Sequence, residues 1–211
     1  MELHEIASWA VAGGAISSFV HGTARRLAPP PGLGQPWAAH PIPEIITAAI
    51  SAALASQIDS WPQLLAYIWF TAVGLSLAIT DLTVRRLPNA LIIPTYPALL
   101  ALFCIPTATS HSTTPLVRSA ASMMATLLTF TALYALAPGQ LGGGDVKLSG
   151  LVGLVLGWFS WTAAFTGILL AWLLAAFAGV FLRLSRKSQP EGLPLGTFLV
   201  VASITTLLAN C

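Results

Sequence analysis

The chain has 211 residues, of which 56% are hydrophobic and 8% are charged, and its mean hydropathy is +0.81. Because soluble domains carry about 25% charged residues, this composition excludes a soluble globular protein and predicts an all-α polytopic membrane protein. The formal net charge of +2 is too small to indicate a nucleic-acid partner.

Eight apolar runs follow one another along the chain, and each is a candidate for a transmembrane helix. The runs cover 6–24, 42–58, 64–80, 89–105, 115–137, 146–159, 161–182 and 193–209, of which the second and sixth are short. Since they fill most of the length, we predict a single integral-membrane domain over 1–211 that sits in a lipid bilayer. Trp61, Trp69, Trp158 and Trp161 fall near predicted span ends, as is typical of interfacial aromatic residues.

Basic residues predict the orientation of these spans. They follow the first, third and seventh runs or begin the sixth, and they are Arg25, Arg26, Arg85, Arg86, Lys147, Arg183, Arg186 and Lys187. Only Arg118 falls on the opposite side. Because cytoplasmic loops carry an excess of Lys and Arg, we predict that both termini lie outside and that the basic end faces the cytoplasm.

Two acidic residues, Asp81 and Asp145, fall at the predicted cytoplasmic ends of the third and sixth runs. Each has an ordinary structural interpretation, since Asp145 follows three glycines and can cap a helix, and Asp81 can pair with Arg85. An ionisable group inside a membrane span is nevertheless costly and marks a functional site by default. Two carboxylates at one depth can share a proton and activate a water molecule, one as a base while the other protonates a carbonyl.

The glycines before the second aspartate, Gly142, Gly143 and Gly144, remove side chains beside the acid. An extended substrate backbone could then approach closely. A phosphate-binding loop is the competing interpretation, but the stretch lacks the glycine spacing and the preceding strand that such loops need. The glycines are therefore interpreted as part of a substrate site.

Both aspartate segments resemble motifs of the type IV prepilin peptidases, which are intramembrane aspartic proteases of the GxGD type. The segment 142–148, GGGDVKL, is similar to their second-aspartate motif G-x-G-D-V-K-L and is followed by Gly150, Gly153 and Gly157. The segment 81–94 resembles their first-aspartate motif D-x-x-x-x-x-I-P-N-x-L-x-x-P, with Leu87 in place of Ile.

Three further segments extend this resemblance over nearly the whole chain. They are 18–27, with His21 where the family pattern usually has Asn, 41–47, and 193–199. The last, LPLGTFL, resembles I-P-F-G-P-F-L and differs from it at Leu195 and Thr197, among others.

The resemblance implies an endopeptidase that removes the leader of type IV prepilins or prepilin-like pseudopilins at the cytoplasmic face of the bacterial inner membrane. It implies that Asp81 and Asp145 are the catalytic residues. The glycines 142–144 would admit the extended substrate, and Lys147, Arg85 or Arg86 would orient it. Such substrates have a short basic leader, a glycine before the cut and an apolar helix after it.

One departure from the family concerns cofactors. Bifunctional members carry a cytoplasmic module with two CxxC pairs, which binds zinc and is tied to S-adenosylmethionine-dependent N-methylation. Here a short Pro-rich loop, 28–43, takes its place, and Cys104 and Cys211 form no CxxC pair. Neither zinc nor S-adenosylmethionine is therefore expected, and the peptidase needs no metal. Two alternatives stay open: a bifunctional peptidase–methyltransferase, and a non-proteolytic transporter or scaffold whose acids bind a cation or stabilise packing.

Overall fold

The computed structural model describes residues 3–27, 41–85, 87–138, 141–184 and 194–210. These residues form eight α-helices and contain no strand, which confirms the prediction of an all-α protein. The helices are α1 (Leu3–Leu27), α2 (Ile42–Ala55), α3 (Trp61–Val84), α4 (Asn89–Ser110), α5 (Thr114–Leu136), α6 (Gly143–Phe159), α7 (Trp161–Leu184) and α8 (Leu195–Asn210).

Four of these helices are long and apolar enough to cross a membrane. They are α3, α4, α5 and the part of α7 that covers Trp161–Leu182, while α2 and α8 are apolar but shorter. The multi-pass character predicted from composition is thus confirmed. The sidedness of the bundle stays a prediction.

Helices α3 and α6 form the centre of the bundle. The first packs against α1, α2, α4 and α8, and the second packs against α4, α5, α7 and α8. The outer helices leave large apolar side chains exposed, such as Leu128, Phe165 and Phe177. Exposed side chains of this kind suit a lipid environment, where burial in protein brings no hydrophobic gain.

Small residues allow α5 and α6 to pack closely. A side chain at Gly153 would overlap the hydroxyl of Thr126, and one at Gly157 would overlap the side chain of Ser122. Helix pairs in membranes commonly use such small residues, because backbone contact replaces the missing hydrophobic driving force. The glycines that follow Asp145 therefore serve to seat α6 against its neighbour.

Arg118 of α5 caps the end of α6. Its Nε donates to the carbonyl oxygen of Gly157 at 2.7 Å, and its Nη2 donates to that of Phe159 at 2.7 Å and also to that of Trp158. The last carbonyls of a helix lack intrahelical partners, and a cation is favoured at this negative end of the helix dipole. Arg118 is the one basic residue predicted to lie on the opposite side of the membrane from the others. Its contacts give it a structural role at the end of α6.

An aromatic cluster joins α3, α4 and α6 at the same end. Phe103 and Trp158 stack with ring centroids 4.4 Å apart, and Tyr67 stacks on Phe159 at 5.4 Å. Trp158 is only 7% exposed, so its prediction as an interfacial residue was wrong. Trp61 and Trp161 are each 56% exposed, as an interfacial position requires.

We expect Arg118→Met to destabilise the protein, because three carbonyls at the end of α6 would lose a charged donor. A hydrogen bond to a charged group contributes about 1.5–3 kcal/mol, so thermal unfolding in detergent should occur several degrees lower. Arg26→Met, which changes an exposed arginine at the end of α1, is the matched control. Equal unfolding temperatures for the two variants would contradict the capping role.

Candidate active site

Asp81 lies in the last turn of α3 and is 7% exposed. The helix ends at Val84, and the amide of Arg85 donates to the carbonyl oxygen of Asp81 at 3.1 Å. Arg85 has a φ of 52°, in the left-handed region that closes many helix C-termini. The chain thereby turns away from α3 four residues after the acid.

Asp145 is the third residue of α6 and is 9% exposed. The cap position itself belongs to Gly142, so the interpretation of Asp145 as the cap residue was wrong by three positions. Its Oδ2 still accepts a hydrogen bond from the amide of Gly142 at 3.2 Å, as an acidic residue in the first turn of a helix often does. Its Oδ1 is buried and makes no hydrogen bond of standard geometry to the described residues, although the backbone amide of Gly196 interacts with this carboxylate.

The two carboxylates meet at Gly196, near the start of α8. A Cβ atom built on Gly196 would lie 3.0 Å from Oδ1 of Asp145 and 3.0 Å from Oδ2 of Asp81. Twice this distance is the largest separation that these two oxygens can have. The structure thus brings the predicted pair together at one end of the bundle.

Thr197, the next residue, bonds directly to the first carboxylate. Its amide donates to Oδ2 of Asp81 at 3.1 Å, and its hydroxyl oxygen lies 3.3 Å from the same atom. The hydroxyl also lies 3.3 Å from the carbonyl oxygen of Ala78. Asp81 is therefore held by α8 as well as by its own helix.

Leu87 packs beside the carboxylate pair. Its Cβ lies 2.7 Å from the place that a Cβ on Gly144 would take, and its Cδ1 lies 3.1 Å from the corresponding place on Gly196. A side chain at Gly144 would overlap Leu87, and one at Gly196 would press against its end. Leu87 therefore narrows the space next to the two acids.

The three glycines predicted to admit a substrate have different surroundings. A Cβ on Gly142 would lie 3.0 Å from Oδ2 of Asp145, whereas one on Gly143 would meet no atom within 4 Å. Gly144 faces Leu87. Only Gly143 opens onto free space among the described residues, so the other two serve the packing around the acids.

Of the basic residues predicted to orient a substrate, Lys147 and Arg85 lie near this end of the bundle. Lys147 donates from Nζ to Oδ1 of Asn89 at 2.9 Å, and its backbone carbonyl accepts from the hydroxyl of Tyr96 at 2.5 Å. Arg85 has an exposed side chain, and Arg86 lies outside the described residues. Lys147 thus connects α6 to α4, and the proposed contact of these residues with a substrate stays a prediction.

Sequence reasoning did not name Leu87, Gly196 or Thr197 as site residues. All three stand in segments that carry the family resemblance, and Thr197 differs from the pattern there. The start of α8 also falls at the same predicted depth as both aspartates. This shared depth is the feature of the sequence that could have indicated that the start of α8 belongs to the site.

The described residues contain no group of three or more His, Cys, Asp or Glu side chains that could hold a metal ion. The site consists of two carboxylates, with apolar and hydroxyl neighbours around them. The expectation that the chain uses neither zinc nor S-adenosylmethionine stays a prediction.

The fold and the paired acids define a class: a multi-pass helical membrane protein with two carboxylates buried together at one end. The Type IV leader peptidase family matches residues 64–184, which is more than half of the chain and includes both aspartates. The chain belongs to this family.

A named relative gives a closer comparison. The prepilin leader peptidase/N-methyltransferase of Bacillus subtilis (strain 168) is 29% identical over 172 residues, which cover 80% of this chain and 65% of the relative. The chain thus spans slightly less than two thirds of that protein's length. No solved structure matches the chain.

We expect Gly144→Ala to lower stability, because the added methyl group would overlap the Cβ of Leu87. Overpacking of this kind costs about 1–3 kcal/mol. Gly143→Ala is the matched control, since its methyl group meets open space and alanine favours the helix by up to about 1 kcal/mol. Thermal unfolding of both variants in detergent measures the difference, and an equal loss in both would contradict the packing of Leu87.

Proposed function

We propose that the chain is an intramembrane aspartic endopeptidase that removes the leader peptide of type IV prepilins or prepilin-like pseudopilins. The observation that carries this proposal is the approach of two buried carboxylates, from α3 and α6, to one point on α8. Membership in the Type IV leader peptidase family supports the peptidase activity in general. The aspartic mechanism is inferred from the closeness of Asp81 and Asp145.

The chemistry follows from the closeness of Asp81 and Asp145. Two neighbouring carboxyl groups do not readily carry two negative charges, so one proton is shared between them. The ionised group takes a proton from a water molecule, and that water attacks the carbonyl carbon of the scissile peptide bond. The protonated group polarises the carbonyl oxygen, and a proton then passes to the leaving amine.

Oδ1 of Asp145 is the atom best suited to hold that water. It is buried and makes no hydrogen bond of standard geometry to the described residues, whereas Oδ2 of Asp81 accepts from Thr197. Because Oδ1 is fully buried, substrate binding must first open a water-sized space beside it. A water in that space would satisfy a polar atom that is otherwise costly to bury.

The proposed substrates fit the position of the pair. A pilin precursor with an apolar helix in the bilayer and a basic leader in the cytoplasm places its cleavage site at the membrane surface. The open face at Gly143 would let the extended segment approach, and the narrow space beside Leu87 favours a glycine before the cut. Lys147, Arg85 and Arg86 would orient the segment from the basic end.

We place the enzyme in the bacterial inner membrane, with both termini outside and the carboxylates toward the cytoplasm. Methyl transfer is not part of the proposal. The chain has two cysteines, and these cannot supply the two CxxC pairs that hold zinc in bifunctional members. The mature pilin should therefore leave this enzyme with a free, unmethylated N-terminus.

The test is cleavage of a prepilin by the chain reconstituted in liposomes. We expect Asp81→Asn and Asp145→Asn each to lower kcat at least about a hundredfold, because general acid–base groups contribute roughly 10²–10⁴. Mass spectrometry of the product should show an unmethylated N-terminus.

The control is Asp59→Asn, which changes an exposed acid just before α3, at the opposite end of the bundle. It should cleave at the wild-type rate. Wild-type cleavage by either of the other two variants would contradict the aspartic mechanism.

A further inference from the structure

The start of α8 does more than lie beside the acids. We propose that Thr197 is a positioning residue that keeps the Asp81 carboxyl group in one orientation in both of its protonation states. This inference rests on the proposed function, and it assigns a role to a residue outside the catalytic pair.

The backbone amide of Thr197 is free to serve Asp81. Thr197 is the third residue of α8, and the first residues of a helix have N–H groups without intrahelical acceptors. Its amide instead donates to Oδ2 of Asp81 at 3.1 Å. This bond satisfies one of the donors at the helix end and uses the end of α8 that favours negative charge.

The hydroxyl group of Thr197 has two alternative acceptors. It lies 3.3 Å from Oδ2 of Asp81 and 3.3 Å from the carbonyl oxygen of Ala78, but it has only one hydrogen to donate. When Asp81 is ionised, the hydroxyl can donate to Oδ2. When Asp81 carries a proton on Oδ2, the hydroxyl can accept that proton's hydrogen bond and donate to Ala78 instead.

This exchange matters because a shared proton must move during each turnover. A residue that could only donate would favour the ionised carboxylate, and one that could only accept would favour the acid. A hydroxyl with an alternative acceptor keeps a hydrogen bond to Asp81 in either case. The Asp81 carboxyl group can then change protonation without changing its orientation.

Gly196 and Thr197 contact the two acids differently. A Cβ atom on Gly196 would lie 3.0 Å from each carboxylate, so the glycine lets α8 approach both acids without pressing on either. Since α8 packs against both α3 and α6, it bonds to Asp81 through the amide and hydroxyl of Thr197, whereas it contacts Asp145 only through the backbone of Gly196. One acid is thus held in place, and the other keeps an oxygen for water.

The test compares variants at position 197 in liposome cleavage of a prepilin. Thr197→Val keeps the amide and nearly the same volume but removes the hydroxyl, so we expect kcat to fall about ten- to a hundredfold. KM should stay near wild type, and the unfolding temperature should fall by no more than a few degrees, as the loss of one hydrogen bond to a charged group implies. Thr197→Ser retains the hydroxyl and should restore kcat to within about threefold.

Thr205→Val is the matched control on the same helix, because the hydroxyl of Thr205 bonds only within α8, to the carbonyl oxygen of Val201. It should cleave like wild type. Thr197→Ala provides a second removal of the hydroxyl should the valine variant fail to fold. A wild-type kcat in a folded hydroxyl-free variant at position 197 would overturn the proposal.

The same series separates this proposal from the function on which it rests. If Asp81→Asn is inactive and Thr197→Val is fully active, the peptidase mechanism stands and the positioning role of Thr197 falls. If Asp81→Asn is itself fully active, both fall. A loss of kcat in Thr197→Val that Thr197→Ser restores supports both.

Discussion

The burial of two carboxyl groups at one end of an apolar bundle is the constraint on which the rest of this structure depends. Burying an ionisable group without partners is costly, and two like groups side by side add repulsion. Three features of the structure offset the cost of burying these carboxyl groups. The amide of Gly142 serves Asp145, the start of α8 serves Asp81, and glycines leave room for both.

Helix α6 carries Asp145 in its first turn. Contacts at the C-terminal end of the helix help to hold it in place. Arg118 binds the last carbonyls of α6, and the small residues between α5 and α6 allow the two helices to lie close together. The N-terminus of α6, with Asp145 in its first turn, is therefore fixed by contacts along the whole helix. The close packing at Gly153 and Gly157 therefore helps to hold Asp145 in position.

The eight helices could be predicted from the apolar runs, although only four of them are long and apolar enough to cross a membrane. Their ends were less predictable. The third run was expected to stop at 80, just before Asp81, whereas α3 continues to Val84 and includes the acid. A sequence shows where hydropathy falls, but the left-handed turn at Arg85 decides where the helix stops.

The pairing of Asp81 and Asp145 was predictable in depth but not in geometry. Charge counting and motifs placed both acids at one end, yet no pattern indicated that α8 enters between them. That contact is a product of tertiary packing, in which Gly196 admits the helix and Thr197 bonds to Asp81. Trp158 shows the reverse case, since local enrichment rules predicted an interface and packing against Phe103 buried it.

The central claim is that the two acids form one site in the membrane-embedded protein. Its most direct test is cross-linking of Asp81→Cys with Asp145→Cys by a short thiol-to-thiol reagent in native membranes, with Cys104 and Cys211 changed to serine. Mass spectrometry should find the linked peptides in this double variant and not in the control pair Asp59→Cys with Asp145→Cys. Equal or slower linking of the 81–145 pair would contradict the account.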